Sequence, residues 1–416
     1  MKAEIIAVGS ELLTPHHTDT NSLFLTERLN EAGFEVHLKT IVGDSETDIA
    51  EVLGAAIDRS DVIMFSGGLG PTEDDLTRSA VAKVLGRKLL TDAGLLEMLR
   101  QRFINRRIPM PSINERQAQV IEQADVLQNP LGTAPGLWLH ERGRYIALLP
   151  GPPPELRAMF ESQVMPRLKQ LGQGRLLAKR TFRVTGMTES EVDSIVAPIY
   201  KSYPQLQTTI LAASGYIGIN LHQWLSSGEE PSELDAAATR IQATLGDAIF
   251  TTSEQSLEEV VGRLLRDSGR TLAVAESCTA GLLAMRITRV PGSSDYFLGG
   301  VLCYSNEAKV DLCGVPNEIL QKHGAVSAET AEALARGARA ALHSSIGLGI
   351  TGIAGPGGGS AEKPVGLVYI GVSDGDRVIH VRRIIPGNRD AIRERAAVFA
   401  LSLLRRFLLQ PHTLAG

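Results

Sequence analysis

The chain has 416 residues, 43% hydrophobic and 21% charged, with a formal net charge of −5. That length supports two or three domains of ordinary globular composition, while the absence of a long basic run argues against direct nucleic-acid binding and no apolar run reaches the ~20 residues of a membrane helix. Cys278, Cys303 and Cys313 are odd in number without Cys-x-x-Cys spacing, which speaks against a disulfide framework or structural zinc, and with no leader pattern at the start the expected location is the cytoplasm.

From the start to about residue 171 the pattern alternates strand and helix. Residues 3–8, 34–42, 61–66 and 144–149 read as strands, and residues 21–32, 46–59 and 76–85 as helices. Such alternation predicts a mostly parallel sheet covered on both faces, with ligands bound beyond the carboxyl ends of the strands. The turn Ser66-Gly-Gly-Leu-Gly-Pro-Thr-Glu-Asp-Asp75 lies at such an end. Gly67, Gly68 and Gly70 let backbone approach a ligand, and the helix opening after Thr72 offers N–H groups to phosphate. Glu73, Asp74 and Asp75 suit a helix N-terminus, and they are equally hard oxygen ligands for Mg²⁺ on a diphosphate, facing Glu11, Asp19 and Asn21 of the first turn.

After Gly172-Gln-Gly174, residues 180–185, 210–213, 216–224 and 248–250 read as strands and residues 190–200 and 234–245 as helices. This is a small α+β unit over 176–250. Ser214-Gly-Tyr-Ile-Gly218 lacks the cationic flanks of an RNA clamp, so the unit reads as a spacer, with 251–255 as linker onward.

The last segment, 256–416, opens with a helix at 257–265 and a strand at 271–275 that runs into Glu276-Ser-Cys-Thr-Ala-Gly281 and a helix at 282–290. Passing from strand to helix through small residues leaves the Ser277 hydroxyl at the sheet edge, beside free N–H groups that favour negative charge. Ser277 is a candidate nucleophile and equally a simple helix cap. Strands at 296–304, 346–350, 365–373 and 377–385 and a closing helix at 389–408 predict a three-layer α/β/α domain. A serine nucleophile needs a base. His323, His343, His380 and His412 lie in no comparable turn, whereas Lys309 follows the strand end at Tyr304. Lys309, desolvated, is therefore the inferred base, with an exposed solubilising lysine as the alternative. Cys278 is the rival nucleophile. Thr351 and the glycines after it can present N–H donors, and Arg393 can clamp a phosphate.

Gly9-Ser-Glu-Leu-Leu13, Asp19-Thr-Asn21, Gly67-Gly-Leu-Gly-Pro-Thr-Glu-Asp-Asp75 and Pro150-Gly-Pro-Pro153 resemble the front domain of CinA (competence/damage-inducible) proteins. Ala275-Glu-Ser-Cys-Thr-Ala-Gly281, Tyr304-Ser-Asn-Glu-Ala-Lys309, Gly352-Ile-Ala-Gly-Pro356 and Pro386-Gly-Asn-Arg-Asp390 resemble, in order, the C-terminal domain of the same family. The resemblance implies a molybdopterin-binding-like three-layer domain over 1–171, a KH-like connecting domain over 176–250 and a three-layer amidohydrolase domain over 256–416. It implies hydrolysis of the carboxamide of nicotinamide mononucleotide to nicotinate mononucleotide and ammonia, without cofactor. Ser277 would attack, Lys309 would handle the proton, Tyr304 and Asn306 would position the substrate, and Glu276, Thr351, Gly352, Gly355 and Arg393 would surround the nucleotide.

For the front domain the resemblance implies a metal-dependent ADP-ribose pyrophosphatase. Its Mg²⁺-type ion would sit near Glu11, Asp19, Asn21, Asp74 and Asp75, with Gly67, Gly68, Gly70, Thr72, Asn129 and Gly151 around the substrate. The expected partners are these small nucleotides, with neither nucleic acid nor membrane, and a symmetric homodimer is the default assembly. Two departures stand out. Thr14-Pro-His-His-Thr18 replaces the usual glycine and apolar residues after Leu13, and Ala280 replaces a glycine after Cys278. If the backbone there is helical, Ala280 helps the turn, which is the expectation; if φ is positive, it strains it.

Overall fold

The computed structural model describes residues 1–105, 107–172, 174–213 and 215–410; Ser214 of the glycine-containing loop, Gln173 and His412 lie outside them. The described chain forms two compact units, one of residues 1–178 with 224–231, the other of residues 179–223 with 232 onward.

In the first unit the elements run β1 (Lys2–Val8), α1 (Thr20–Glu31), β2 (Glu35–Val42), α2 (Glu46–Arg59), β3 (Val62–Ser66), α3 (Thr77–Leu85), β4 (Leu89–Thr91), α4 (Ala93–Asn105), β5 (Gln119–Ile121), β6 (Asp125–Leu127), β7 (Gly136–Glu141), β8 (Arg144–Leu149), α5 (Pro153–Met159) and α6 (Met165–Leu171). The main sheet has the order β2-β1-β3-β8-β7-β6. The first four strands are parallel, whereas β7 and β6 join antiparallel. That antiparallel edge and the β4–β5 pair are additions to the predicted sheet.

Successive strand residues point to opposite faces. Ile6, Ile63 and Phe65 therefore pack with Ile49 and Leu53 of α2 and Ala80 and Val81 of α3. Ile5 and Met64 pack on the other side with Leu25 and Leu29 of α1 and Phe160. The result is three layers, as expected of strands buried on both faces. Register aligns Ala7 with Ser66 and Ser66 with Leu149. The turns at Gly9, Gly67 and Pro150 consequently leave one edge of the sheet side by side.

The chain continues with β9 (Leu176–Val184), α7 (Glu189–Tyr200), β10 (Gln207–Ala213), β11 (Tyr216–Leu225), α8 (Ser232–Leu245) and β12 (Ile249–Thr251), most of whose residues fall in the second unit and whose sheet order is β10-β11-β9-β12. The connection onward is held firmly. Arg183 donates to the carbonyls of Glu254 (2.7 Å) and Gln255 (3.0 Å), and buried Arg405 donates to Asp247 O and Ile249 O, both at 2.8 Å.

Then follow α9 (Leu257–Asp267), β13 (Leu272–Glu276), α10 (Leu282–Thr288), β14 (Phe297–Leu302), α11 (Asn306–Cys313), α12 (Asn317–His323), α13 (Ala328–Leu342), β15 (Ile346–Gly352), β16 (Leu367–Ser373), β17 (Val378–Ile384) and α14 (Arg389–Leu409). The sheet order is β14-β13-β15-β16-β17, parallel through β15 and antiparallel beyond it. Val274, Leu348 and Ile370 pack under α9, α10 and α14. Ala273, Ala275 and Leu334 pack on the opposite face with Cys303 and Cys313.

On that second face Gly347 and Gly349 of β15 and Gly371 of β16 lie against α13. A Cβ on Gly347 would stand 1.9 Å from Ala335 O, and one on Gly349 or Gly371 2.5 Å from Ala331 O. Small residues alone allow backbone to meet backbone here. The three-layer expectation holds for both large domains. Among the described residues no helix is long and apolar enough to cross a membrane.

Candidate functional site

Ser277 follows β13 directly, and its neighbours on both sides are fixed by backbone bonds. Its N–H donates to Ile350 O of β15 (3.1 Å), and Cys303 N–H donates to Glu276 O (2.9 Å) just beyond β14. Ser277 thus sits at the end of β13 between the ends of two neighbouring parallel strands, one leading to Thr351 and the other to Tyr304. Ser277 is 7% exposed.

Glu276 occupies a supporting position. Its buried carboxylate accepts N–H bonds from Gly281 (2.9 Å), Leu283 (3.1 Å) and Ala284 (2.8 Å). It therefore ties off the N-terminus of α10, the site where a helix would otherwise attract an external anion. The expectation that Ala280 sits in helical backbone is corrected. Its φ is +49° and that of Gly281 is +92°, so two successive left-handed residues turn the chain into α10. Reversing the backbone between a capped strand end and a helix that starts only at Leu282 requires that conformation, and Ala280 is strained in it.

Lys309 reaches the same strand end from α11. It is 1% exposed, and its Nζ donates to the carbonyls of Cys303 (3.0 Å), Tyr304 (3.1 Å) and Ser305 (3.3 Å). Burial pushes the Lys309 amine below its ordinary value. Its carbonyl partners include Cys303, whose N–H is bonded to the residue before Ser277, so the amine lies at the strand end next to the one that carries Ser277. Cys278 is 5% exposed, and burial pushes its thiol up to about 12. A thiol of that kind stays protonated at neutral pH, which disfavours it as the nucleophile.

Around this centre the predicted residues divide. Tyr304 is 61% exposed at the rim and Asn306 opens α11 beside it, while Thr351 is buried and donates its hydroxyl to Ala325 O at 2.7 Å. Gly352 packs so closely on Val368 and Leu367 O that a side chain would collide, and Gly355, at φ +73°, opens the glycine-rich loop after β15. Arg393 Nη2 donates to Thr279 O (2.9 Å), within the Ser277 turn itself. The arginine that spans the rim is Arg389, which donates to Gly355 O (2.8 Å) and to the Tyr304 hydroxyl (3.1 Å). Arg389 and Arg393 are one helical turn apart, so spacing alone cannot separate them.

The first unit holds a cavity of about 370 Å³ at the carboxyl edge of its sheet. Gly67, Gly68, Gly70, Thr72, Gly151, Glu11, Asp74 and Asp75 line it together, as do Asp44 and Glu155, which sequence reasoning missed. Asp44 arrives through the Ser10 loop, where Ser10 N–H donates to its carboxylate (2.8 Å). Glu155 comes from the start of α5 and accepts from Asn129 Nδ2 (2.7 Å).

Other predicted residues serve as structure. Asp19 caps α1, accepting from Ser22 N–H, and Asn129 closes its own loop by accepting from Leu131 and Gly132 N–H. Asn21 joins two strand ends by donating to Ser66 Oγ (2.9 Å) and Gly151 O (2.8 Å). Asp75 accepts from Gly70 N–H (2.7 Å), Thr72 N–H (2.8 Å) and the Thr72 hydroxyl, so it shapes the glycine turn. The Thr-x-x-Asp spacing carries that signal in the sequence. Among the described residues no group of three His, Cys, Asp or Glu side chains is placed to hold a metal ion. His16 and His17 belong to no such group.

A family model described as "CinA C-terminal domain" matches residues 254–408, and one described as "Probable molybdopterin binding domain" matches residues 4–170. The Ser277 turn falls in the first and the glycine-lined cavity in the second. The chain is 48% identical to a CinA-like protein of Koribacter versatilis, over 98% of this chain and 100% of the relative. It is 49% identical to one of Solibacter usitatus over 98% of each, and 46% identical to one of Acidobacterium capsulatum over 98% of this chain and 100% of the relative. Both strand-edge sites are thus embedded in a similarity that runs through every domain, and the chain belongs to the CinA family.

Proposed function

We propose that the C-terminal domain is a serine amidohydrolase that converts the carboxamide of nicotinamide mononucleotide to the carboxylate, releasing ammonia. The observation that carries this reading is the convergence of the Ser277 turn and the buried Lys309 amine on neighbouring strand ends. Lys309, which donates to three carbonyls as the ammonium, first loses a proton to solvent and turns from one of them, and its amine then takes the Ser277 Oγ proton as Oγ attacks the amide carbon. Collapse of the tetrahedral species returns that proton to the departing ammonia and leaves an ester on Ser277. Water then cleaves the ester, its proton passing back through Lys309 to Ser277.

Glu276 occupies the N–H groups of Gly281, Leu283 and Ala284, so stabilising the oxyanion falls to the N–H groups ahead of them, at Cys278, Thr279 and Ala280. Tyr304 and Arg389 at the rim face the nucleotide end. Following ammonia from nicotinamide mononucleotide with the full chain and with Ser277→Ala tests the reading. Activity should vanish in the variant, and an unchanged rate removes Ser277 from the mechanism.

A second reading concerns the first unit, a metal-dependent pyrophosphatase acting on ADP-ribose-type diphosphates, favoured by the glycine-walled cavity with its carboxylates. The donor set fits an ion that arrives on the diphosphate: Mg²⁺ needs one or two protein carboxylates alongside phosphate oxygens. Asp19 and Asp75 are committed to backbone, so Glu11 and Asp74 would hold the ion. When bound, it would neutralise charge on the phosphates. The chain's own part is to present the backbone of the Gly67–Gly70 turn and to keep the Gly151 turn in place through Asn21. ADP-ribose cleavage in Mg²⁺ that persists in Asp74→Ala counts against this assignment.

A further inference from the structure

The cavity of the first unit presents a charge problem. Its walls include five carboxylates, Glu11, Asp44, Asp74, Asp75 and Glu155, and among the described residues no lysine or arginine lines it. A diphosphate entering it meets like charge on several sides, and one or two divalent ions offset only part of that. Arg116 reaches the rim of the glycine turn, donating to Thr72 O at 3.3 Å, but it is already paired with Glu73; a second cation lies one layer deeper.

Arg78, the second residue of α3, is 4% exposed. Its Nη2 donates to Gly70 O at 3.2 Å, and Nη1, fully buried, has no hydrogen-bond partner among the described residues. Gly70 is thereby gripped at both ends, its N–H by Asp75 and its carbonyl by Arg78. No salt bridge to a carboxylate is recorded for Arg78 among the described residues, although Asp75 is near enough to favour its charge. Burial pulls the guanidinium down to about 10, so it stays protonated at neutral pH. An arginine buried with incomplete hydrogen bonding is costly, and a neutral residue of similar length would avoid that cost if a loop peg were all that was needed.

We propose that Arg78 is an anion-positioning residue. Its guanidinium, set behind the Gly70 carbonyl at the N-terminus of α3, supplies the positive potential that lets a diphosphate settle against the Gly67–Gly70 turn of an otherwise acidic cavity. It acts through space and through the loop, touching no substrate atom. The inference rests on the diphosphate reading above and adds to it the source of electrostatic compensation within the chain.

Two substitutions separate charge from loop-holding. Arg78→Lys keeps the charge but loses the planar fork, and Arg78→Gln keeps an N–H donor for Gly70 O but loses the charge. Binding of inorganic pyrophosphate in Mg²⁺ buffer is measured by calorimetry on the full chain, with thermal unfolding of each variant as the structural readout. The expected result is an affinity loss of at least tenfold for Arg78→Gln and within about threefold for Arg78→Lys, with both unfolding midpoints near that of the parent. ADP-ribose hydrolysis should show the same contrast in KM with little change in kcat.

Equal losses in both variants, or retention of affinity in Arg78→Gln, overturn the inference. Should Arg78→Gln fail to fold, Arg78→Lys decides alone, since a tenfold loss in that folded, still cationic variant is equally fatal. A parent chain that binds no pyrophosphate fails at the earlier step and overturns the diphosphate reading itself.

Discussion

Replacing Ala280 by glycine should stabilise the protein. The residue adopts φ +49° and is exposed, so deleting its methyl group forfeits almost no buried area. An L-residue in the left-handed region costs roughly 1–2 kcal/mol, which glycine does not incur. Against this, glycine loses more backbone freedom on folding, by roughly 0.5–1 kcal/mol. The difference is a gain of about 0.5–1 kcal/mol, a few-fold in the folding equilibrium. Urea unfolding measures it directly: with a slope of about 2 kcal/mol/M, the midpoint of the transition that includes the C-terminal domain should rise by about 0.3 M at constant slope. Ala280→Val, with a branched Cβ in the same conformation, should move it down by more than that. A midpoint lowered by Ala280→Gly would refute the reasoning, because it would require the turn to be right-handed there.

Cys278→Ala should leave ammonia release within about threefold of the parent, since the buried, protonated thiol takes no part; a hundredfold loss would reinstate Cys278 as nucleophile. On the proposed mechanism, with Lys309 as base, the rate with nicotinamide mononucleotide should climb with pH along a limb centred below 10.5, because burial lowers the proton affinity of that amine. Lys309→Arg, charged throughout, should abolish the limb and cut the rate by about 10²–10⁴. The same shift means the unfolded chain binds more protons than the folded one between the lowered value and 10.5, so this group's contribution to stability grows as pH rises through that window. Arg286→Met should cost about 3 kcal/mol by chemical denaturation, as it strands the Glu258 carboxylate (12% exposed) that Arg286 holds at 2.7 Å along with Glu394 at 2.8 Å.

The parts of this architecture legible in the sequence were those where a strand of apolar residues breaks abruptly into small or acidic ones. β1, β3 and β13 end in such breaks, so the sequence pattern itself puts the turns at Gly9, Gly67 and Ser277 at sheet edges. The stretch from 86 to 143 carries no comparable contrast: β4, β5 and β6 are three-residue strands, too short to show a period. α13 also went unread, its buried face being largely alanine, which marks a helix only when its glycine-bearing partner strands are known. Within the sites, residue types were readable but orientation was not. Asp75 resembles a ligand until its carboxylate is seen closing the glycine turn, and Arg389 and Arg393 are distinguishable only by the directions one helical turn apart. Asp44 and Glu155 join the cavity through loop folding, across more than a hundred positions.

The seam where Gly347, Gly349 and Gly371 admit the carbonyls of α13 has an effect beyond packing. With main chain against main chain there is no layer of side chains to yield, so α13 can neither roll nor slide without lifting off altogether. β15 therefore behaves as a fixed datum, and the Ile350 carbonyl that anchors the reactive turn inherits that immobility. On the proposed reading, adaptation to a different amide should then come from the opposite wall, where Tyr304 and Arg389 meet across a rim open to solvent, and scarcely ever from the strand that anchors Ser277.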